Sequence, residues 1–231
     1  MNFVQSVKDF LALIYPEGCE VCSQSLVNGE SCICSTCWYE LPKTGFYRDK
    51  ENPMTRIFWG RVDIVSGTAL FHYQKGGKVQ DLIHRLKYKG QQEIGCYLGM
   101  RLGHYMLESS IYRHLDSIIP VPLHPEKQRM RGFNQSEVFG EGLSRILGVP
   151  LNTRVLQRLS ATSSQTRKRR FMRWENVESA FSLNNTSILE NKHVLLVDDV
   201  ITTGATMEAC ANKLLTAAGV KVYLASIGVT V

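Results

Sequence analysis

The chain has 231 residues, 44% of them hydrophobic, and a formal net charge of +6. That length and apolar content support one full-sized domain plus a small accessory module, and exclude a disordered tail. No apolar run reaches the roughly 18 residues of a membrane span. The opening stretch, interrupted by Asp9, lacks the small-residue cleavage site of a signal peptide. The expectation is a cytoplasmic protein without membrane insertion, whose thiols stay reduced.

In chain order, Phe3, Val7, Phe10, Leu11 and Ile14 share one face of a short amphipathic helix ended by Pro16. Five of the seven cysteines then fall between Cys19 and Cys37. The pairs Cys19-x-x-Cys22 and Cys34-x-x-Cys37, on short turns, can set four thiolates tetrahedrally around Zn2+. A segment this small has little core of its own, so a metal accounts for its stability. Disulfides are the competing arrangement, opposed by a reduced compartment and an odd cysteine count. Cys32 is surplus and can stand in for Cys34; the spacing leaves that open. Four protein ligands close the site, which makes the zinc structural. Cys96 and Cys210 lie in helical patterns and read as core. Residues 1–50 are therefore expected to be a helix and zinc module, and 51–61 a linker, since Pro, Gly and mixed charge occur there without periodicity. Residues 62–231 are the main domain.

Residues 62–73 alternate in the manner of strands near an edge, and 78–109 show helical spacing, including Val79, Leu82, Ile83 and Leu86. The apolar run 117–121 predicts a buried strand. Asn134 with Glu137 forms a capping-box start for a helix whose apolar face is Val138, Phe139, Leu143, Ile146 and Leu147. Gly148 and Pro150 stop it. Residues 193–197, HVLLV, are continuously apolar, as a parallel strand covered on both faces must be. Met207, Cys210, Ala211, Leu214, Leu215 and Ala218 make a helical stripe ended by Gly219, and VKVYLASIGV is a further strand. Strand and helix alternate, which predicts an α/β domain with a parallel sheet whose ligands bind beyond the strands' carboxyl ends.

Two carboxylates, Asp198 and Asp199, are expected to emerge where the HVLLV strand ends. They repel each other by about 1 kcal/mol at 4 Å in water, and more when partly buried. Hydroxyl donors or a divalent cation offset that repulsion. Thr202, Thr203, Gly204, Ala205 and Thr206 follow, offering hydroxyls and helix N-terminal amides to an anion. The bland alternative is an acidic helix entrance in which Asp and Thr simply cap, although a cap needs one such residue and not five. A ligand with a diol and, one bond beyond, a phosphate matches the layout; ribose 5-phosphate is one.

The stretch VLLVDDVITTGAT closely resembles the phosphoribosyl pyrophosphate (PRPP) motif of type I phosphoribosyltransferases. IIPVPLHPEKQRMRGFNQSE, Thr162-x-x-Gln165, Arg173-x-x-Asn176, Ala180-Phe181, LKYKG at 86–90, the two C-x-x-C pairs and Trp38 are similar to the pattern of the ComF competence family. The resemblance spans nearly the whole chain, and extends to the transferase half of amidophosphoribosyltransferases. It implies a type I phosphoribosyltransferase-like parallel sheet flanked by helices, beside a small N-terminal zinc-binding module. It also implies Asp198 and Asp199 at the ribose hydroxyls and Thr202 to Thr206 around the 5-phosphate. Mg2+-bound pyrophosphate would leave the sugar's C1 through a cation-like transition state, with positioning and charge stabilisation carrying the work. A role in DNA uptake, alongside DNA-translocating or DNA-processing competence proteins, is implied as well. Three features depart from the family pattern. The Met-Asn-Phe start lacks the cysteine nucleophile of a glutaminase, so glutamine-dependent synthesis by this chain alone is not expected; Lys168 stands where the family usually has an apolar residue; and the sequence runs only to Val231, just past the last strand, so a nucleobase hood is not expected.

The positive charge is concentrated. Between Pro120 and Glu175 eleven Lys and Arg stand against four Glu. Arg129 and Arg131 are candidates for pyrophosphate, and Lys87 and Arg173 are weaker ones. The stretch 162–176 sets Phe171 and Trp174 among Arg167, Lys168, Arg169, Arg170 and Arg173. Three roles stay open for it: a lid over PRPP, a grip on single-stranded DNA, or an exposed loop.

Overall fold

A computed structural model of the protein describes residues 18–88, 90–159 and 180–231. The predicted helix before Pro16 lies outside them, as does the basic stretch with Arg167, Lys168, Arg169, Arg170, Phe171, Arg173 and Trp174.

Six strands are described: β1 (Ser66–His72), β2 (Ser117–Pro120), β3 (Leu156–Arg158), β4 (Phe181–Leu183), β5 (His193–Ile201) and β6 (Lys221–Val229). Four form an all-parallel sheet in the order β1-β6-β5-β2, and β3 pairs with β4 as a separate antiparallel ribbon. The helices are α1 (Ser35–Glu40), α2 (Pro53–Arg56), α3 (Lys78–Tyr88), α4 (Gln92–Leu107), α5 (Pro125–Arg131), α6 (Gln135–Leu147) and α7 (Ala205–Leu214).

The sheet is covered on both sides. Leu195 and Val197 of β5 pack into a core with Leu82 and Leu86 of α3, Leu98 of α4, and Phe139 and Leu143 of α6. Val194 and Leu196 point the other way, into a core with Met207, Cys210 and Leu214 of α7. Two-sided burial is the reason the HVLLV run is apolar at every position. α4 and α6 cross at near backbone contact: a Cβ on Gly99 would sit 2.2 Å from the Phe139 carbonyl oxygen, and one on Gly142 2.1 Å from that of Cys96. Only glycine allows that approach.

Several expectations need adjustment. β2 is buried as predicted but lies at the sheet's edge, where Leu151 bridges to Ile118 and covers it. The helical stretch from Lys78 is two helices, separated near Gly90. At the start of α6, Asn134 Oδ1 accepts the Ser136 amide at 3.1 Å, but among the described residues Glu137 makes no reciprocal bond. The 51–61 segment, expected as a linker, is packed. Met54 and Phe58 are fully buried, and Asn52 Nδ2 donates to the carbonyls of Phe46 (3.1 Å), Asp49 (2.7 Å) and Gly67 (2.7 Å). Its apolar residues are too sparse to show a period, so composition alone misled. Cys19, Ile33, Cys34, Cys37 and Leu41 share the α3–α4 core, which seats the cysteine-rich segment directly on the main sheet's helices.

Candidate functional site

β5 runs beyond Val197. Its pairing with β6 continues through Asp198↔Ser226 to Ile201↔Val229, so the two aspartates lie within the strand's last turn of sheet and not in a loop after it. Each carboxylate has its own partner. Ser136 Oγ, on the first turn of α6, donates to Asp198 Oδ1 at 2.8 Å, as does the Asp199 amide. Lys87 Nζ, at the end of α3, pairs with Asp199 Oδ2 at 2.8 Å. Burial, and then the neighbouring Asp199 charge, push the Asp198 carboxyl up to about 7; the Ser136, Asp199 amide and Lys87 contacts pull it down without cancelling this. The structure therefore unites Lys87, Ser136, Asp198 and Asp199. Ser136 was missed in the sequence because it sits among the residues of a helix cap.

Beyond the carboxylates the chain turns through exposed Thr202 and Thr203 to buried Gly204, and half-buried Ala205 and Thr206 open α7. Gly204 has φ 78° and brings no side chain to cap the helix. The amides of the first turn are left for a ligand, apart from a long 3.5 Å contact between the Ala205 amide and Thr203 Oγ1. A Cβ at Gly204 would lie 2.9 Å from Phe58 Cε1, so the turn rests against the buried ring. Arg61 braces the same turn. It donates to the carbonyls of Thr203 (3.0 Å) and Ile57 (3.2 Å) and pairs with Glu208 of α7. Phe58 and Arg61, in a stretch taken for a linker, form the back of the cup.

Arg131 is held by the residues next to Ser136 and Lys87. Its guanidinium donates to Gln135 Oε1 at 2.6 Å and Tyr88 Oη at 3.3 Å, and lies 5.0 Å from the Tyr88 ring centre. Its Nε is buried without a partner among the described residues. Tyr88 adjoins Lys87, so one helix end holds both cations near the crevice. Arg129 is exposed on α5 and is not brought into this network.

In the cysteine-rich segment the sulfurs of Cys19, Cys22, Cys34 and Cys37 all lie within 4.8 Å of one another. The Cys22–Cys34 separation is 3.8 Å. Ligands about 2.3 Å from a tetrahedral zinc stand roughly that far apart, so the donor set can hold zinc. Amides of Val21 and Cys34 point at Cys19 Sγ, at 3.4 and 3.3 Å, and that of Cys37 at Cys34 Sγ at 3.5 Å. Cys32 is outside the cluster, and burial followed by the Glu20 charge pushes its thiol up to about 12.

Comparison with known proteins sets this geometry in context. DNA utilization protein YhgH of Escherichia coli K12 is 31% identical over 214 residues, covering 89% of this chain and 88% of that protein. Competence protein F of Haemophilus influenzae is 35% identical over 144 residues, 61% of this chain and 62% of its own. The chain belongs to the ComF family. The phosphoribosyl transferase domain family matches residues 134–231, the part of this ComF protein that carries Ser136, both aspartates and the Gly204 turn. A solved glutamine PRPP amidotransferase from B. subtilis, with ADP and GMP, is 20% identical over 58% of the ComF chain, with a TM-score of 0.41; the chain spans 26% of that structure. The phosphoribosyl transferase domain match and the sheet order together make the fold a phosphoribosyltransferase-type parallel sheet flanked by helices, with four clustered cysteines near the N-terminus.

Proposed function

We propose that the crevice binds PRPP with Mg2+ and transfers its phosphoribosyl group to an acceptor, releasing pyrophosphate. One juxtaposition carries this reading: paired carboxylates near the carboxyl end of β5, followed by a left-handed glycine that opens a helix whose N-terminus has no side-chain cap. Asp198 and Asp199 accept hydrogen bonds from the ribose diol. The amides of Ala205 and Thr206, with the Thr202, Thr203 and Thr206 hydroxyls, surround the 5-phosphate. Lys87 and Arg131 supply positive charge above the sugar, where pyrophosphate oxygens gather. The hard carboxylate oxygens suit magnesium, which supplies charge neutralisation at the departing pyrophosphate when it is bound. Asp198 must lose its proton as this cationic complex forms. Zinc at Cys19, Cys22, Cys34 and Cys37 is structural in this reading.

Isothermal titration with PRPP and Mg2+ tests it. Binding is expected for the full chain and lost in the double variant Asp198→Asn, Asp199→Asn; a wild-type chain that does not bind PRPP refutes the proposal. Transfer adds pyrophosphate release with an amine or nucleobase acceptor.

A second reading, a DNA-binding component of natural transformation with or without catalysis, is favoured by the cation surplus between Pro120 and Glu175. The names of the relatives, DNA utilization protein and competence protein, agree with it. In this reading Arg167, Lys168, Arg169, Arg170 and Trp174 grip single-stranded DNA, in company with DNA-translocating or DNA-processing proteins of the cytoplasm.

A further inference from the structure

The face formed by the cysteine-rich segment and α4 carries a second concavity that shares no residue with the Asp198 crevice. Tyr97, Arg101 and Tyr105 recur every fourth residue of α4, so they form one stripe, about 12 Å long at 1.5 Å per residue. Trp38 and Tyr39 wall one end. This hollow of about 650 Å³ continues past Lys43 and Tyr105 into one of about 330 Å³ that contains Tyr47 and Arg48.

Aromatic rings and cations interleave along it. The Arg101 guanidinium lies 4.2 Å from the centre of the Trp38 ring, and that of Arg48 5.1 Å from Tyr47. Tyr47 stacks on Tyr105 at 5.2 Å. Tyr39 is 88% exposed, so core packing does not account for it. The carboxylates nearby are already engaged. Glu30 accepts the amides of Val27 (3.1 Å) and Ser35 (2.7 Å), Glu108 accepts Tyr47 Oη (3.1 Å), and Glu40 pairs with Lys78. Lys43 donates to the carbonyls ending α1, contributing charge without a free donor arm. Among the described residues Arg101 has no carboxylate partner. Lys43 and Arg101 both lie over the Trp38 ring. The groove is therefore net positive, with the exposed Tyr39 ring and the half-buried Tyr105 ring beside its cations, a combination that takes phosphates on cations and bases on rings. A duplex hides its base faces and fits poorly.

We propose that this groove binds single-stranded DNA, with bases against Tyr39 and Tyr105 and phosphates on Arg101 and Arg48. The ligand class rests on the DNA-binding reading above; the site shares no residue with the pentose-phosphate crevice or with the 167–170 cations.

Fluorescence anisotropy of a labelled oligo(dT), across a salt series with the zinc-loaded full chain, tests it. The variant Tyr39→Ala, Arg48→Gln, Arg101→Gln is expected to bind at least tenfold more weakly. Loss of two phosphate contacts should flatten the log–log salt slope by about 1.4. Tyr39→Ala alone, at a site with no packing role, should cost about fivefold or more. Zinc content and PRPP titration, unchanged in the triple variant, report that it folds. Wild-type affinity in the triple variant, or equal competition by duplex DNA or by single-stranded RNA, overturns the proposal. A chain that never binds PRPP but loses oligo(dT) on these substitutions sinks the transferase reading and leaves the groove standing.

Discussion

Replacing Asp198 by Asn should stabilise the ligand-free protein at alkaline pH and do almost nothing in acid. An aspartate in the unfolded chain titrates near 3.8, whereas burial and the Asp199 charge hold Asp198 at about 7 in the folded state. Between those values the folded protein binds a proton that the unfolded chain has released, so stability falls as pH rises through the window. At about 1.4 kcal/mol per unit, the carboxylate at pH 8 costs the fold at most roughly 4 kcal/mol relative to pH below 4. Water entry and local relaxation reduce that ceiling to about half. Asn keeps the side chain's shape, and its carbonyl oxygen still accepts from Ser136 Oγ. Urea unfolding of the zinc-loaded wild type and Asp198→Asn at pH 4, 6 and 8 gives the difference. All groups other than residue 198 are common to the two proteins and drop out of the comparison. The expected gain is about 2–4 kcal/mol at pH 8, shrinking to near zero at pH 4. A variant that is less stable than wild type at pH 8 would show that the carboxylate is a net structural asset, and the argument would be wrong.

Gly204→Ala forces a Cβ onto a left-handed residue and against the Phe58 ring, costing about 2–3 kcal/mol in thermal unfolding and abolishing PRPP binding in calorimetry. Arg61→Ala should raise the PRPP dissociation constant about tenfold while lowering stability by only about 1 kcal/mol, since it braces the Thr203 carbonyl from the solvent side. Equal PRPP affinity would deny it that bracing role. Cys37→Ser should lose zinc in metal analysis, whereas Cys32→Ser should retain one ion per chain.

How far the sequence revealed this depended on the length scale of each signal. The β5 strand, the α6 and α7 stripes and the Gly204 turn were legible because each is a local pattern, set by burial on known faces or by a backbone angle. The same locality limited the rest. Ser136 lies 62 residues from Asp198, and nothing near it in sequence distinguishes a serine that meets a carboxylate from one that fills a helix start. Arg61 lies 142 residues from Thr203. The 51–61 segment looked like a linker because its order comes from Asn52 satisfying three carbonyls, a bonding pattern with no hydrophobic period. The strand's extension through two aspartates was also hidden. Composition argues against buried carboxylates; the Asp199 amide, with Ser136 and Lys87 brought in by α6 and α3, makes them tolerable.

α3 joins the two halves of the molecule. Its apolar face, with Val79, Leu82, Ile83 and Leu86, is buried in the sheet's core. Its charged positions reach both ways: Lys78 pairs with Glu40 and Arg85 with Glu20 of the cysteine-rich segment, while Lys87 pairs with Asp199. Arg85–Glu20, at 3.2 Å, is largely shielded from solvent and is reinforced by Gln91 Nε2 donating to the same carboxylate at 2.9 Å. Glu20 sits between Cys19 and Cys22 of the cysteine cluster, so a metal held there would fix the turn that presents it. Removing zinc should release Glu20 and let the end of α3 fray, withdrawing Lys87 from the crevice. A chelator is therefore expected to weaken PRPP binding about as much as Lys87→Met does, and the two together should cost little more than either alone. Strict additivity in that cycle would mean that the cysteine cluster and the crevice are energetically independent, and that α3 is a packing element only.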